Sequence, residues 1–452
     1  MSERVVVIGG DASGMTAASL AKKMRPDLEI IALEKGPWTS YSACGIPYVI
    51  GGDVGSIEEL VVRSPEKHRA NGIDARTLHE VTAIDLDVRE VEVRDIDAAR
   101  TYRLGFDQLI IATGASPRRP PVPGFLHEKV HGVQTLDDGA HLLRHAKEIG
   151  ADKVVVVGAG YVGLEIAEAF IKRGATVTVV ERGPEVLATM DPEMGARVRE
   201  AMERHGIDVR TDDAVEEFDG KAVVTANGSI EADLVVLGLG VTPNSTLANE
   251  AGIELGAQDA IAVDVRQRTS AEGVWAAGDC CESFHLVSHR KVHVALGTVA
   301  NKQGRVVGIN LGGGYATFPG VVGTAVTKLC DTEIARTGLN EREATQVGFG
   351  YVVGRIESTT RAGYFPGTKP ISVKILAQPG GGELLGAQIV GQEGAAKRID
   401  VLATALTARF TVEDLLHLDL SYAPPFAPVW DPVLMAARKA WDAVQRGRTA
   451  RH

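Results

Sequence analysis

One pattern occurs twice in this chain and restricts its fold more than any bulk property. In the first copy, Arg4 to Ile8 reads as a buried strand and Gly9-Gly10-Asp11-Ala12-Ser13-Gly14 as a tight turn. An Ala-rich helix from Met15 to Met24 follows, then a strand from Glu29 to Leu33 that ends at Glu34 and Lys35. In the second copy, the strand Lys153 to Val157, the turn Gly158-Ala159-Gly160-Tyr161-Val162-Gly163, a helix Leu164 to Arg173 and a strand Thr176 to Val180 lead to Glu181. Glycines at such a turn let the backbone approach a pyrophosphate, and the free N–H groups at the helix start attract it. An acid at the end of the next strand then reaches ribose hydroxyls. Glu34 and Glu181 stand 20 and 18 residues after the last glycine of their turns, which is the spacing this geometry requires. Two Rossmann-like dinucleotide-binding units of α/β class are therefore expected. The first turn departs from the pattern at Asp11, which takes a glycine position, so its side chain must point away from any phosphate.

Two further strands stop abruptly at small residues. Leu109 to Ala112 runs into Thr113-Gly114, and Gly273 to Ala277 runs into Gly278-Asp279, where Asp279 is also suited to cap a helix. Val235 to Gly240, followed by Val241-Thr242-Pro243-Asn244, closes the second unit. The first unit is thus expected to be discontinuous, formed by residues 1–119 and 244–324, with the second unit, 120–243, inserted into it. From 325 to 452 the pattern changes to shorter strands at Tyr351 to Ile356, Ile371 to Ala377 and Leu384 to Val390. Helices at Lys397 to Arg409 and Val412 to Leu416 follow, giving an α+β region with no nucleotide motif. The basic tail Arg446 to His452 is expected to fray.

Acidic residues outnumber basic ones by 59 to 48, giving a formal charge of -11, which counts against a general nucleic-acid binder. No apolar run reaches the roughly 18 residues of a membrane span, and the first strand leads straight into glycines rather than a cleavage site. A soluble, cytoplasmic chain is expected. The four cysteines have neither disulfide-framework nor metal-ligand spacing, so no metal site is expected. Cys280, Cys281 and Cys330 read as small buried hydrophobes. Cys44 differs: it lies in Ser40-Tyr41-Ser42-Ala43-Cys44-Gly45-Ile46-Pro47-Tyr48, among small residues behind a nucleotide-type N-terminus and far from any second cysteine. Such a lone sulfur points to mixed-disulfide chemistry with an external thiol, helped by a helix start and a positive or polarisable neighbour that favour the thiolate.

With these residues in place, the chain resembles the pyridine nucleotide-disulfide oxidoreductases over essentially its full length. Within them it is similar to the single-cysteine branch of coenzyme A disulfide reductases, NADH oxidases and CoA-persulfide reductases. The resemblance is carried by Ser40, Cys44, Gly45, Pro47 and Tyr48, by Ala300-Asn301-Lys302-Gln303-Gly304-Arg305, by Gly363-Tyr364-Phe365-Pro366-Gly367, and by Ser421-Tyr422-Ala423-Pro424-Pro425-Phe426. Members with two cysteines four residues apart are disfavoured, because Cys44 has no partner at that spacing.

The resemblance implies FAD on the first unit, with Thr113, Gly114, Gly278, Gly297 and Thr298 against it and Asp279 at the ribityl chain. It implies a nicotinamide nucleotide on the second unit, with Glu165 near the nicotinamide. Glu181 favours NADH, since a carboxylate repels a ribose 2'-phosphate, while Arg182 keeps NADPH possible. The C-terminal region becomes a dimerisation domain, and in the homodimer Tyr364 and Tyr422 approach the substrate sulfur from the partner subunit. Coenzyme A is implied as substrate or bound ligand, with Ser40, Lys22, Lys23, Arg63, Lys67, Asn301 and Lys302 as candidate contacts. Ala43 stands where family members often carry Asn. The expected reaction is NAD(P)H-dependent reduction of CoA disulfide, CoA persulfide or a related small disulfide or polysulfide through Cys44. The alternative is an NADH oxidase or quinone/dye reductase using the same flavin and cysteine.

Overall fold

A computed structural model of the chain describes residues 2–449. The duplicated sequence pattern becomes two five-stranded parallel sheets with the same plan. In the first, Arg4–Ile8 is central, with Glu29–Glu34 and Ile73–Thr77 on one side and Gln108–Ile111 and Val274–Ala276 on the other. In the second, Lys153–Val157 is central, with Thr176–Val180 and Asp208–Arg210 on one side and Leu234–Leu237 and Val130–Gly132 on the other. The central strands are almost wholly apolar because helices cover both faces of a parallel sheet. Val5, Val6 and Val7 are fully buried, as is Val156. The first sheet is completed only when residues 274–276 return to pair with 108–111. Between the sheets, the outgoing segment Ala115–Pro117 and the returning segment Val241–Pro243 pair antiparallel.

Each unit also carries a three-stranded antiparallel meander that the periodicity of the sequence did not reveal. These are His79–Asp85, Glu90–Asp95 and Arg100–Gly105 on the first, and Val215–Phe218, Ala222–Thr225 and Gly228–Glu231 on the second. Their strands are only four to seven residues long, and those of the first meander are rich in Asp, Glu and Arg, so neither gives a long apolar run.

The C-terminal region is a five-stranded antiparallel sheet in the order Ala325–Leu329, Thr332–Gly338, Leu384–Gly391, Pro370–Ala377, Val352–Thr359. The helix Val412–Leu416 falls where expected, held by a capping box between Thr411 and Asp414. The helix expected at Lys397 to Arg409 is a 3₁₀ turn, Ala396–Arg398, followed by Ile399–Thr407. The expectation of a frayed tail is corrected. A helix runs from Pro432 to Thr449, and only residues 450–452 of the tail lie outside the described residues. Its apolar residues Val433, Ala436, Ala437, Ala440 and Val444 recur at helical spacing and join the core of the C-terminal sheet. Gly354 admits this helix onto the sheet, since a Cβ there would lie 2.3 Å from the Ala436 carbonyl oxygen.

The contact that positions the nucleotide end of the first unit is between the helices Ala12–Met24 and Gly297–Leu311. A Cβ on Gly304 would sit 2.3 Å from the Ser13 carbonyl oxygen, and one on Gly308 would sit 2.8 Å from that of Ala17. Backbone cannot yield there as a flexible side chain can. Gly304→Ala is therefore expected to destabilise the chain by about 1–3 kcal/mol in chemical denaturation through overpacking. Gly297→Ala, whose added methyl meets open space, is expected to change stability by less than about 0.5 kcal/mol.

Candidate active site

The two terminal acids hold their turns in the same way. Glu34 Oε2 accepts a hydrogen bond from the Gly10 N–H at 2.7 Å and Oε1 one from the Gly36 N–H at 2.7 Å. Glu181 accepts from the Ala159 N–H at 2.9 Å and from the Gly183 N–H at 2.8 Å. Each carboxylate thus ties the glycine turn to the loop after the second strand. Gly9 and Gly158 have φ of 107° and 98°, a region L side chains rarely enter. A Cβ on Gly14 would come 2.1 Å from the Gly9 carbonyl oxygen, and one on Gly163 would come 2.1 Å from that of Gly158.

Asp11 turns aside as expected: its Oδ1 accepts from the Tyr41 N–H at 2.9 Å. Burial pushes its carboxyl up to about 6, with Glu34 and Asp279 adding repulsion. Ala12 and Ser13 open the helix beside it, and Ser13 Oγ donates to the Ala277 carbonyl at 2.9 Å. Gln303, fully buried, accepts from the Gly278 N–H at 2.8 Å and donates to Ser283 Oγ at 3.0 Å. These bonds fix the Gly278-Asp279 turn, and they leave Asp279 Oδ1 buried without a partner. A buried, unsatisfied oxygen calls for a donor; a chain of ligand hydroxyls supplies one, and the ribityl chain of FAD fits. Burial also pushes the Asp279 carboxyl up.

The remaining predicted nucleotide contacts occupy turns or surfaces around these cradles. Thr113 Oγ1 donates to the Asn244 carbonyl at 2.6 Å, and Asn244 Nδ2 donates back to the Thr113 carbonyl at 2.9 Å, which locks the crossing between the two units. Gly114 accepts from the Asn244 N–H at 2.9 Å with φ of 68°. Gly160 caps the helix Tyr161–Lys172, whose first turn presents the exposed Val162. Gly297 and Thr298 are exposed at the start of their helix, and Lys35 and Arg182 are exposed beside Glu34 and Glu181.

Cys44 lies in a 3₁₀ turn, Ala43–Gly45, immediately before the short helix Ile46–Gly51. It is exposed, whereas Cys280 and Cys281 are buried and Cys330 is half-buried with its thiol pushed up by burial to about 11. Of the thiolate-favouring features expected at Cys44, the helix start is present, and the charged groups of the described residues that act on the sulfur most are acidic. Although the residue is exposed, desolvation of its thiol raises the pKa, and Glu165, Asp279 and Asp11 raise it further. Glu165, half-buried and pushed up by desolvation, accepts from Thr327 Oγ1 at 2.9 Å and lines a small cavity with Pro47, Tyr48 and Lys172.

Ser40 adopts φ of 46°, donates its N–H to the Gly10 carbonyl at 2.9 Å, and pairs its Oγ with His68 Nε2 at 3.0 Å. His68 escaped the sequence reading, because a lone histidine in a six-residue helix carries no motif. It is fully buried, its Nδ1 has no partner, and burial lowers it to about 4, so it supports Ser40 as a neutral ring. Among the basic candidates, Lys22 donates to the Pro26 and Leu28 carbonyls at 2.8 and 2.6 Å and so closes its own helix. Lys23, Lys67 and Lys302 are exposed and Arg63 is half-buried. Asn301 accepts from Thr16 Oγ1 at 3.0 Å and donates to the Gly297 carbonyl at 2.9 Å, bridging the two close-packed helices. Tyr364 and Tyr422 are brought together: desolvation and a hydrogen bond with Tyr364 raise the Tyr422 phenol. Both rings are exposed, at 78% and 47%, and neither is hydrogen-bonded to Cys44 within the chain.

Two cradles built alike, an orphaned acid at one of them and an exposed cysteine beside it define a flavin- and pyridine-nucleotide-dependent oxidoreductase. Residues 3–304 match the pyridine nucleotide-disulphide oxidoreductase family, and 324–432 match its dimerisation domain. The chain belongs to this family, whose cofactors are FAD and NAD(P)H. It is 40% identical over 447 residues to a CoA-dependent NAD(P)H sulfur oxidoreductase of Pyrococcus abyssi, covering 97% of this chain and 98% of that one. It is 37% identical over 444 residues to an NADH oxidase of Methanocaldococcus jannaschii, covering 97% and 98% of the two chains. A solved NAD-dependent persulfide reductase from A. fulgidus superposes with a TM-score of 0.95 at 39% identity, over 98% of this chain and 84% of that one. No helix among the described residues is long and apolar enough to cross a membrane.

Since Glu165 raises the Cys44 thiol, Glu165→Gln is expected to move the rise of iodoacetamide alkylation at Cys44 to lower pH than in wild type at equal flavin content. Peptide mapping across a pH series measures this.

Proposed function

We propose that this chain uses NADH to reduce the S–S bond of a CoA-linked disulfide or persulfide, with Cys44 as the only protein sulfur that takes part. The observation that carries this reading is the placement of Cys44: exposed, next to the cradle marked by Asp279, with Cys280 and Cys281 buried and Cys330 half-buried. A sulfur so placed has no internal partner and must exchange with an external one.

When bound, FAD relays two electrons from the nicotinamide to the sulfur centre. The chain's residues do the rest. The clamped turn at Gly158 orients the nicotinamide nucleotide, and Glu181, already accepting two backbone N–H groups, keeps lone pairs for a free ribose 2'-hydroxyl, which supports NADH. Cys44 sulfur attacks one sulfur of the substrate, so that one S–S bond forms as another breaks and one thiolate departs. The two electrons then cleave the mixed disulfide, which releases the second thiolate and restores Cys44. Tyr364 and Tyr422 stand as an exposed, neighbouring pair suited to give a proton to the departing thiolate. Their exposure, together with the dimerisation domain, supports a homodimer in which they serve the partner's Cys44. Ser40, Arg63, Asn301 and Lys302, with Lys23 nearby in sequence, are the proposed contacts for the CoA portion. Lys22 is the weakest of the set because its ammonium is already used. The return of strand 274–276 to the first sheet supports division of the chain at about 119, 243 and 324. The reducing cytoplasm suits a working thiol.

Anaerobic reductive titration tests the reading. Wild type first oxidised with CoA disulfide, so that Cys44 carries CoA as a mixed disulfide, is expected to take up four electrons per flavin with release of CoA, and Cys44→Ser treated in the same way two, with loss of CoA-disulfide turnover. Retention of full disulfide turnover by Cys44→Ser would refute it.

A further inference from the structure

Away from the nucleotide cradles, three imidazoles converge on the second unit. His131 lies on the edge strand Val130–Gly132, and His141 and His145 lie one turn apart on the helix Leu136–Glu148, hence on the same face. Their nearest ring nitrogens all fall within 4.8 Å of one another. The ring centroids are 5.2 Å apart for His131 and His141, 5.1 Å for His131 and His145, and 6.0 Å for His141 and His145. None of the three belongs to a cofactor cradle or to the Cys44 site.

We propose that His131, His141 and His145 form a binding site for a borderline divalent transition ion, with zinc(II) as the representative metal. Imidazole suits such ions, and three neutral imidazoles leave a fourth coordination position open. A tetrahedral ion about 2.0–2.1 Å from each nitrogen spaces those nitrogens about 3.3 Å apart. His131 Nε2 and His145 Nδ1 are already 2.9 Å apart, so they need only part slightly to share an ion. The remaining closure falls to His141, which is exposed and free to change rotamer.

The chemistry of the pair favours the same reading. His131 is buried, and its Nε2 faces another imidazole rather than a carboxylate or carbonyl. The contact therefore requires one ring to donate and the other to accept, whereas an ion accepts a lone pair from both. Of the charged groups near His131, Arg119 opposes a cation and Asp138 favours one. The Arg119 guanidinium is directed to the Phe125 and Val130 carbonyls, and Asp138 accepts from the backbone of Gln134 and Thr135. Because His131 is on an edge strand and the other two are on the following helix, a bound ion clips the strand to the helix.

The sequence reading expected no metal because it weighed cysteine spacing. The signal it passed over is His141-x-x-x-His145 within a helix, with His131 ten residues before it.

The test uses the untagged, metal-stripped, FAD-loaded chain, titrated with zinc chloride at neutral pH by calorimetry and by equilibrium dialysis with elemental analysis. Wild type is expected to bind one ion per chain at this site. His141→Ala, an exposed position that leaves the fold intact, and His145→Gln are each expected to weaken that binding at least about tenfold. Zinc should also raise the melting temperature of wild type and leave that of His141→Ala unchanged. Absence of saturable binding in wild type would overturn the proposal. So would equal affinity and stoichiometry in His141→Ala, which would place the ion elsewhere, for instance at Cys44.

Discussion

The close contact of the helices Ala12–Met24 and Gly297–Leu311 is the constraint on which the flavin end of the structure rests. Gly304 lets the second helix reach the Ser13 backbone, Ser13 Oγ in turn bonds the Ala277 carbonyl, and Gln303 receives the Gly278 N–H. Three segments distant in sequence are thereby joined at one point. The result is an acid, Asp279, held in place with a buried oxygen left over for a ligand. The same arithmetic explains why small residues crowd this region: a methyl group at Gly304 or Gly278 would collide with Ser13 at 2.3 and 2.5 Å.

Electrostatics around Cys44 run against the simplest expectation for a reactive cysteine. Glu165, Asp279 and Asp11 all raise its thiol, and burial raises it more. Thiolate character must then come from what binds there rather than from a lysine or arginine of the chain. This arrangement disfavours the Cys44 thiolate in the chain alone. It also gives the neighbouring acids a role that sequence alone did not suggest.

The duplicated strand–turn–helix–strand units were legible because period, glycine spacing and a terminal acid agree at every level. Their sheets, their central strands and the clamping acids follow the sequence closely. Cys44, Tyr364 and Tyr422 were legible as residues, and the fold brings the two tyrosines together. What escaped had physical reasons. The strands of the meanders at 79–105 and 215–231 are too short to give a long apolar run. The helix from Pro432 to Thr449 was hidden by a basic end that drew attention from its buried stripe at Val433, Ala436, Ala437, Ala440 and Val444. His68 acts through a tertiary contact with Ser40 that no spacing rule records. Lys22 looked like a free charge, and only the structure shows that it closes its own helix.

The central claim is that Cys44 alone carries the sulfur chemistry. Non-reducing peptide mass spectrometry of the FAD-loaded enzyme, mixed anaerobically with one equivalent of NADH and then CoA disulfide, tests it most directly. The account predicts a single CoA adduct on the peptide bearing Cys44, removed by further NADH, and none on the peptides bearing Cys280, Cys281 or Cys330. Turnover of the disulfide with no adduct at Cys44, or an adduct at another cysteine that NADH removes, would contradict it.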